Sequence, residues 1–263
     1  MIKRIVLLPD FHHPHHNKAA VEAVFQFVKY FKPNAINILG DAMNMDAVNH
    51  WKMARGDKKY FEGKRIQKEY NEFDRDILTP LEQLLPKDCE RVFMGGNHED
   101  WINGLTDRIP ALTGLVEVET SLKLKERGWE WIPWIKYDNE KDSHIRGIKQ
   151  YGKLLVFHGQ YWNKYHACKT ADTYSKSCAY GHTHDLQSYT KVTADDYKDF
   201  HTAQSIGCLC STSPEFLKGT MNRWVNAFGV IYVREDGMYN LYVPVIINGQ
   251  FTFEGRTFGK DMI

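Results

Sequence analysis

The chain has 263 residues, 43% hydrophobic and 25% charged, a balance that excludes a disordered protein and fits one large α/β domain or two small ones. Its 34 basic against 33 acidic side chains leave a formal charge of +1, which removes any broad electrostatic case for coating nucleic acid or a membrane. Five cysteines with no CxxC pair suit reduced thiols in a cytoplasm better than a disulfide framework.

Ile5 to Leu8 is a wholly apolar run, the pattern of a strand buried on both faces. It stops at Pro9-Asp10, too soon for a signal peptide, and no later stretch reaches the roughly 18 apolar residues of a spanning helix. Asp10 to His16 reads as a polar loop. From Asn17, a fitting N-cap, Val21, Val24, Phe25, Val28 and Phe31 recur at helical spacing until Pro33. Ala35 to Leu39 is a second buried strand, closed by Gly40-Asp41. A charged stretch from Asn49 leads to an amphipathic helix with Ile66, Tyr70, Phe73, Ile77, Leu81 and Leu84 on one face, kinked or divided at Pro80. Arg91 to Met94 is a third strand, running into Gly95-Gly96-Asn97-His98-Glu99-Asp100. This βαβαβ order predicts a largely parallel sheet.

The second half is richer in strands. Trp129 to Ile135, Leu154 to Phe157, Leu186 to Val192, Ala203 to Leu209, Asn226 to Val233 and Met238 to Ile247 all read so, with a helical Asn163 to Ser177 among them. No repeat, low-complexity tract or linker divides the chain, so one continuous domain over 1–263 is expected, with an inserted lid at about 49–68.

Five polar groups share one context, at or just after a strand end: Asp10-Phe11-His12, Gly40-Asp41, Gly96-Asn97-His98-Glu99, His158-Gly159 and Gly181-His182-Thr183-His184. Functional sites of open α/β sheets gather outside the carboxyl ends of strands, so groups far apart in sequence converge there. Together they offer carboxylates, imidazoles and an amide oxygen, donors suited to manganese, iron, zinc or cobalt. The adjoining glycines allow tight turns and leave room for an anion.

The ordered set D-x-H, G-D, G-N-H-E, H-G, G-H-x-H resembles the calcineurin-like metallophosphoesterase superfamily over nearly the whole chain. Asp10-x-His12-x-Pro14-x-His16 and Gly207-Cys208-Leu209-Cys210 look like a branch common in bacteriophage and bacterial genomes. The resemblance implies an α/β (α+β) fold, a two-sheet β-sandwich flanked by helices. It implies two divalent metal ions, manganese first, with iron, zinc, nickel, cobalt or magnesium as alternatives. Asp10, His12 and His184 would hold one ion, Asp41 would bridge, and Asn97, His158 and His182 would complete the second site. Two such cations roughly 3.5–4 Å apart clamp a phosphate and supply hydroxide at neutral pH. His98 would contact the phosphate and protonate the leaving oxygen as general acid. Many relatives carry aspartate where this chain has Asn44, a residue that orients the catalytic histidine. Asn44 would bind substrate or His98 without supplying charge, and Asp46 is a candidate substitute.

Single residues also have plainer readings. His13, His15, His16 and His166 match no metal position and suit loop solvation as well as substrate contact. Glu99 and Asp100 fit first-turn acids favoured by the helix dipole. Met43, Met45 and Met53 read as packing, and Cys208 and Cys210 as buried thiols along a strand. Tyr161, Trp162 and Trp224 line a cleft or pack.

The function expected is hydrolysis of phosphodiesters of nucleotides or nucleic acid in a cytoplasm, that of the host if the gene is a phage's. A phosphomonoesterase is the alternative, and a metal-binding scaffold without turnover a third reading. Lys58, Lys59, Lys64 and Arg65, interleaved with Trp51, Tyr60 and Phe61, are candidate contacts to a nucleotide or single strand. No membrane partner is expected, and the oligomeric state is left open.

Overall fold

Alternate residues of the first strand face two different cores, which is why that run is apolar without a break. In the computed structural model, which describes residues 2–192, 200–214 and 217–259, β1 (Lys3–Leu8) turns Ile5 and Leu7 to one core and Val6 and Leu8 to the other. It pairs in parallel with β2 (Ala35–Leu39), β2 with β3 (Glu90–Met94), and β3 with β4 (Trp129–Ile132). Leu8 lies opposite Ile38 and Leu39 opposite Met94, so the three following loops leave the sheet at one edge.

Helix α1 (Lys18–Phe31) connects the first two strands, capped by Asn17, whose Oδ1 accepts the Ala20 N–H at 3.2 Å. Its Phe27 is fully buried, with the rings of Phe31, Phe228, Phe251, Phe253 and Phe258 at 4.7–5.8 Å between centroids. Phe27→Ala is therefore expected to cost about 3–5 kcal/mol in denaturant unfolding. A loss below about 1 kcal/mol would show that these rings collapse into the gap.

Next come α2 (His50–Ala54), α3 (Ile66–Phe73) and α4 (Thr79–Leu84). The predicted long helix is not divided: it runs on from α3 through a π-helical turn at Asp74–Leu78 into α4, the Thr79 N–H donating to the Asp74 carbonyl, and Pro80 follows that turn. Helices α5 (Asn97–Arg108) and α6 (Val118–Ser121) complete the first half.

The predicted strand from Trp129 to Ile135 stops at Pro133, and β5 (Ile135–Asp138) pairs instead with β6 (Ser143–Arg146). There follow β7 (Lys149–Tyr151), β8 (Leu154–Phe157), α7 (His166–Tyr174), β9 (Cys178–Tyr180), β10 (Ser188–Val192) and β11 (Phe200–Ser205). Last are β12 (Gly229–Val233), β13 (Tyr239–Tyr242), β14 (Gln250–Phe253) and β15 (Arg256–Gly259). The predicted strand to Ile247 ends early because Pro244 has no N–H to give a ladder. The one predicted from Ala203 to Leu209 ends at Ser205, leaving Gly207 to Cys210 outside the named strands with isolated bridges at Cys208 and Cys210.

Among the described residues, one sheet runs β13-β12-β1-β2-β3-β4 and the other β10-β11-β9-β8-β7. Ile5, Leu7, Leu39, Val92 and Met94 of the first meet Val156, Phe157, Ala179, Tyr180 and Ala203 of the second in a shared core. The fold is thus the two-sheet α/β arrangement with flanking helices that the motifs imply. Strands β8, β9 and β11 are mutually parallel, so His158, Gly181-His182 and Gly207-Cys208 follow carboxyl ends of the second sheet. No described helix is long and apolar enough to cross a membrane.

Candidate metal centre

The strand-end loops converge. Asp10, His12 and His184 place one ligand atom each within 4.8 Å of one another; so do Asp41, His158 and His182, and so do His12, Asp41 and His98 between them. Asp41 Oδ2 lies 3.6 Å from His12 Nε2 and 3.4 Å from His158 Nε2, which makes it the shared carboxylate. Asp10 Oδ1 is 3.3 Å from His184 Nε2, and Asn97 Oδ1 is 3.2 Å from His158 Nε2. All seven predicted ligands are present in this cluster.

Hydrogen bonds on the far side of each ring set which nitrogen faces inward. His158 Nδ1–H donates to the Leu39 carbonyl at 2.9 Å, leaving Nε2 as the open atom. For His12 the assignment starts at Asp46. That carboxylate accepts from Asn44 Nδ2 at 2.7 Å, which fixes the amide and turns Asn44 Oδ1 to His12. His12 Nδ1–H donates to this oxygen at 3.0 Å, so its Nε2 carries the lone pair, 3.1 Å from His184 Nε2. Lone pairs and carboxylate oxygens facing one another are a donor set that wants cations between them. The clustered residues could hold metal.

The backbone at these side chains is unusual. Asp10, His12, Asp41, His182 and His184 all have φ between 45° and 71°, the left-handed region that side-chain-bearing residues adopt sparingly. A Cβ on Gly96 would stand 2.2 Å from Asp41 Oδ1, and one on Gly181 would stand 2.2 Å from Asp10 Oδ2, so only glycine admits the two carboxylates. The His182 N–H donates to Asp10 at 3.0 Å and the His98 N–H to Asp41 Oδ1 at 3.0 Å.

Glu99 ties these loops together. It is buried, and its carboxylate accepts from the N–H groups of Asp41 at 2.9 Å, Met43 at 3.0 Å and Gly96 at 2.8 Å. The first-turn reading was therefore incomplete: the side chain caps its own helix and also holds the next loop. The sequence signal was glutamate at the capping-box position after Gly96. Burial and the Asp41 charge push its carboxyl up to about 7.

Burial alone would lower the buried His158 ring, but the Asp41 charge and hydrogen bond outweigh it and hold the ring up at about 9. His184 is likewise up at about 9, where the contact with Asp10 overcomes desolvation. Burial, then the His158 charge, lowers His182 to about 3. Burial is also the leading cause of the low His12 value. Two rings thus hold a proton more readily than a free imidazole while two resist it.

His98 stands beside these donors. Its Nδ1–H donates to the Asn44 main-chain carbonyl at 2.8 Å, its ring lies on Trp101 at 4.0 Å, and its Nε2 is 3.9 Å from Asp41 Oδ2. The expected Asn44 side-chain contact to His98 is corrected accordingly: the amide serves His12, and the backbone serves His98. Asp46 does not stand in for a His98 partner either. It binds Asn44, Tyr60 Oη, Lys64 Nζ at 3.5 Å and His15 Nε2 at 3.4 Å.

The lid candidates divide. Lys64 is engaged by Asp46 and by the Tyr60 ring, 3.3 Å from Nζ to centroid, while Lys58, Lys59 and Arg65 are exposed. Two other histidines correct the solvated-loop reading. His13 is buried against Asp76, and His166 is buried between Tyr180 Oη at 2.8 Å and Asp185. Trp162 is 78% exposed, whereas Trp224 packs edge-on to His184 at 4.3 Å.

No family model matches the chain. Its sequence is similar to the gene 54 proteins of two mycobacteriophages. It is 23% identical to that of phage L5 and 22% to that of D29, each over 97% of this chain and 98% of the phage protein. Similar solved structures include Vps29 of Entamoeba histolytica complexed with zinc, with TM-score 0.45, 11% identity and coverage of 95% of this chain and 96% of that one. Vps29 of Cryptosporidium parvum gives TM-score 0.44 and 13% identity over 98% and 99% of the two chains. Vps29 of Chaetomium thermophilum gives 0.43 and 13% over 98% and 100%.

Proposed function

We propose that the protein is a calcineurin-like metallophosphoesterase that hydrolyses phosphodiester bonds of nucleotides or short single-stranded nucleic acid. The observation that carries this reading is the convergence of seven ligand-type side chains, their open nitrogens and oxygens facing inward, with the His98 ring alongside. Two divalent ions, manganese first among the candidates, would be held by Asp10, His12 and His184 and by Asn97, His158 and His182, with Asp41 shared. Bound there, they would supply Lewis-acid activation of the phosphate and a water of lowered pKa.

The chain's own residues do the rest. Asn44 and the Leu39 carbonyl fix ring orientation at His12 and His158. His98, held through Nδ1 by the Asn44 carbonyl, keeps Nε2 available to give a proton to the departing oxygen. Lys58 and Lys59 are exposed on the segment anchored through Tyr60 and Lys64 to Asp46, itself bonded to Asn44. They are suited to the flanking phosphates of a short strand, and the near-neutral net charge argues against a long duplex footprint. Similarity to two phage proteins supports action in a host cytoplasm.

The test uses protein stripped by chelator and reloaded with manganese, assayed on a chromogenic diester, the matching monoester and an oligonucleotide. Chelator-sensitive turnover, with diester preferred over monoester, is expected. Monoester preference would favour the phosphatase reading, and no turnover at two ions per chain would leave a binding scaffold. Lys58→Ala with Lys59→Ala should raise KM for the oligonucleotide and reduce its salt slope by about 0.7 per lysine. The small diester should be unaffected; equal responses would make the segment structural.

A further inference from the structure

His184 has a second open side. Its Nε2 faces Asp10 and His12, while its Nδ1 faces Cys210 Sγ at 3.9 Å. Cys208 joins them: the two sulfurs and Nδ1 all lie within 4.8 Å of one another, and the three side chains are 0–7% exposed. Residues two apart on an extended backbone point to the same side, so Cys208-Leu209-Cys210 presents both thiols together. Leu209 turns away into the core around α1.

That backbone is held firmly. The Leu209 N–H donates to the Pro9 and Asp10 carbonyls at 3.0 and 3.1 Å, the Cys208 N–H to Val225 at 3.0 Å, and Asn226 Nδ2 to the carbonyls of Cys208 and Cys210 at 3.1 and 2.7 Å. Such bonds fix both Cα positions while leaving the sulfurs with weak partners. Cys208 Sγ has carbonyl contacts at 3.6 and 4.0 Å, an Asn226 amide at 3.9 Å and the neighbouring Cys210 thiol. Trp224, edge-on to the His184 ring, resists its rotation. Among the described residues, Cys89, Cys168 and Cys178 enter no comparable group.

We propose that Cys208, Cys210 and His184 Nδ1 form a separate site for a borderline-soft divalent ion, zinc above all, joined to the carboxylate–imidazole centre through the His184 ring; the two thiols release their protons to water on binding, and so does the ring when both its nitrogens are ligated. Thiolate and imidazole donors select such an ion. Zinc bonds of about 2.3 Å to sulfur and 2.0–2.1 Å to nitrogen give tetrahedral edges of roughly 3.4–3.8 Å. The 3.9 Å His184–Cys210 pair is already near that edge, and cysteine rotation closes the remainder. The ion would pin the His184 loop to the segment after β11 and set the ring's orientation toward Asp10. Binding does not depend on phosphoester hydrolysis, so the two readings stand or fall separately.

The test is spectroscopic. Cobalt added to chelator-stripped, reduced protein should produce an intense near-ultraviolet thiolate-to-cobalt absorption that zinc displaces. The band should vanish in Cys208→Ala and in Cys210→Ala, and persist in Asp41→Asn. X-ray absorption of the zinc-loaded wild type, which needs no variant to fold, should show sulfur at about 2.3 Å from the metal. A cobalt-saturated wild type without the band, zinc with only nitrogen and oxygen neighbours, or a band retained in both alanine variants would each overturn the proposal.

Discussion

Asp41→Asn is expected to abolish hydrolysis and leave at most one tightly held ion in the carboxylate–imidazole centre. The Asp41 carboxylate faces His12 and His158 from one oxygen and is buried, so no water replaces it. The amide is nearly the same size but removes the negative charge that two cations would share. Metal affinity should fall by more than the roughly 10–100-fold that loss of an outer hydrogen-bond partner costs. Asn44→Ala supplies that comparison, since Asn44 touches His12 and no other predicted ligand side chain. Metal analysis after dialysis, beside turnover, checks both. Equal occupancy in Asp41→Asn and wild type would refute a shared carboxylate.

His98→Ala should separate chemistry from metal binding. The ring reaches Asp41 only at 3.9 Å and is held by the Asn44 carbonyl and Trp101, so its removal should leave metal content near wild type. Turnover should drop by about 100–10,000-fold, the range for losing a positioned general acid. A good leaving group needs no proton, so the deficit should shrink with nitrophenyl esters and be largest with alkyl or nucleoside leaving groups. A deficit independent of leaving group would assign His98 to substrate positioning alone. His158→Ala is the control, because its Nε2 is inside the donor set and metal should be lost with activity.

Local signals in the sequence determined a large part of this protein. Ile5 to Leu8 is apolar throughout, and Ala35 to Leu39 and Arg91 to Met94 are apolar apart from Asn37 and Arg91, because these strands are buried on both faces, and that pattern is visible without any partner. Strand-end polar groups in a parallel sheet must come out at one edge, so the convergence of these loops was legible, while the choice of Asp10, His12, Asp41, Asn97, His158, His182 and His184 came from the family resemblance. Tertiary structure decided what depends on partners distant in the chain. Pairing, rather than apolar length, set the short strands of the second sheet, and Pro133 and Pro244 ended two longer runs. The Asn44 side chain serves His12 while its main-chain carbonyl serves His98, because Asp46 fixes the amide, and Glu99 holds the Asp41 loop because two loops cross at its carboxylate. By sequence His13 and His166 suit solvation as well as substrate contact, whereas Asp76 and Asp185 meet them in buried positions. Ring orientation, burial and the seating of Cys210 on His184 are set by contacts between segments remote in sequence, and periodicity within a segment carries no record of them.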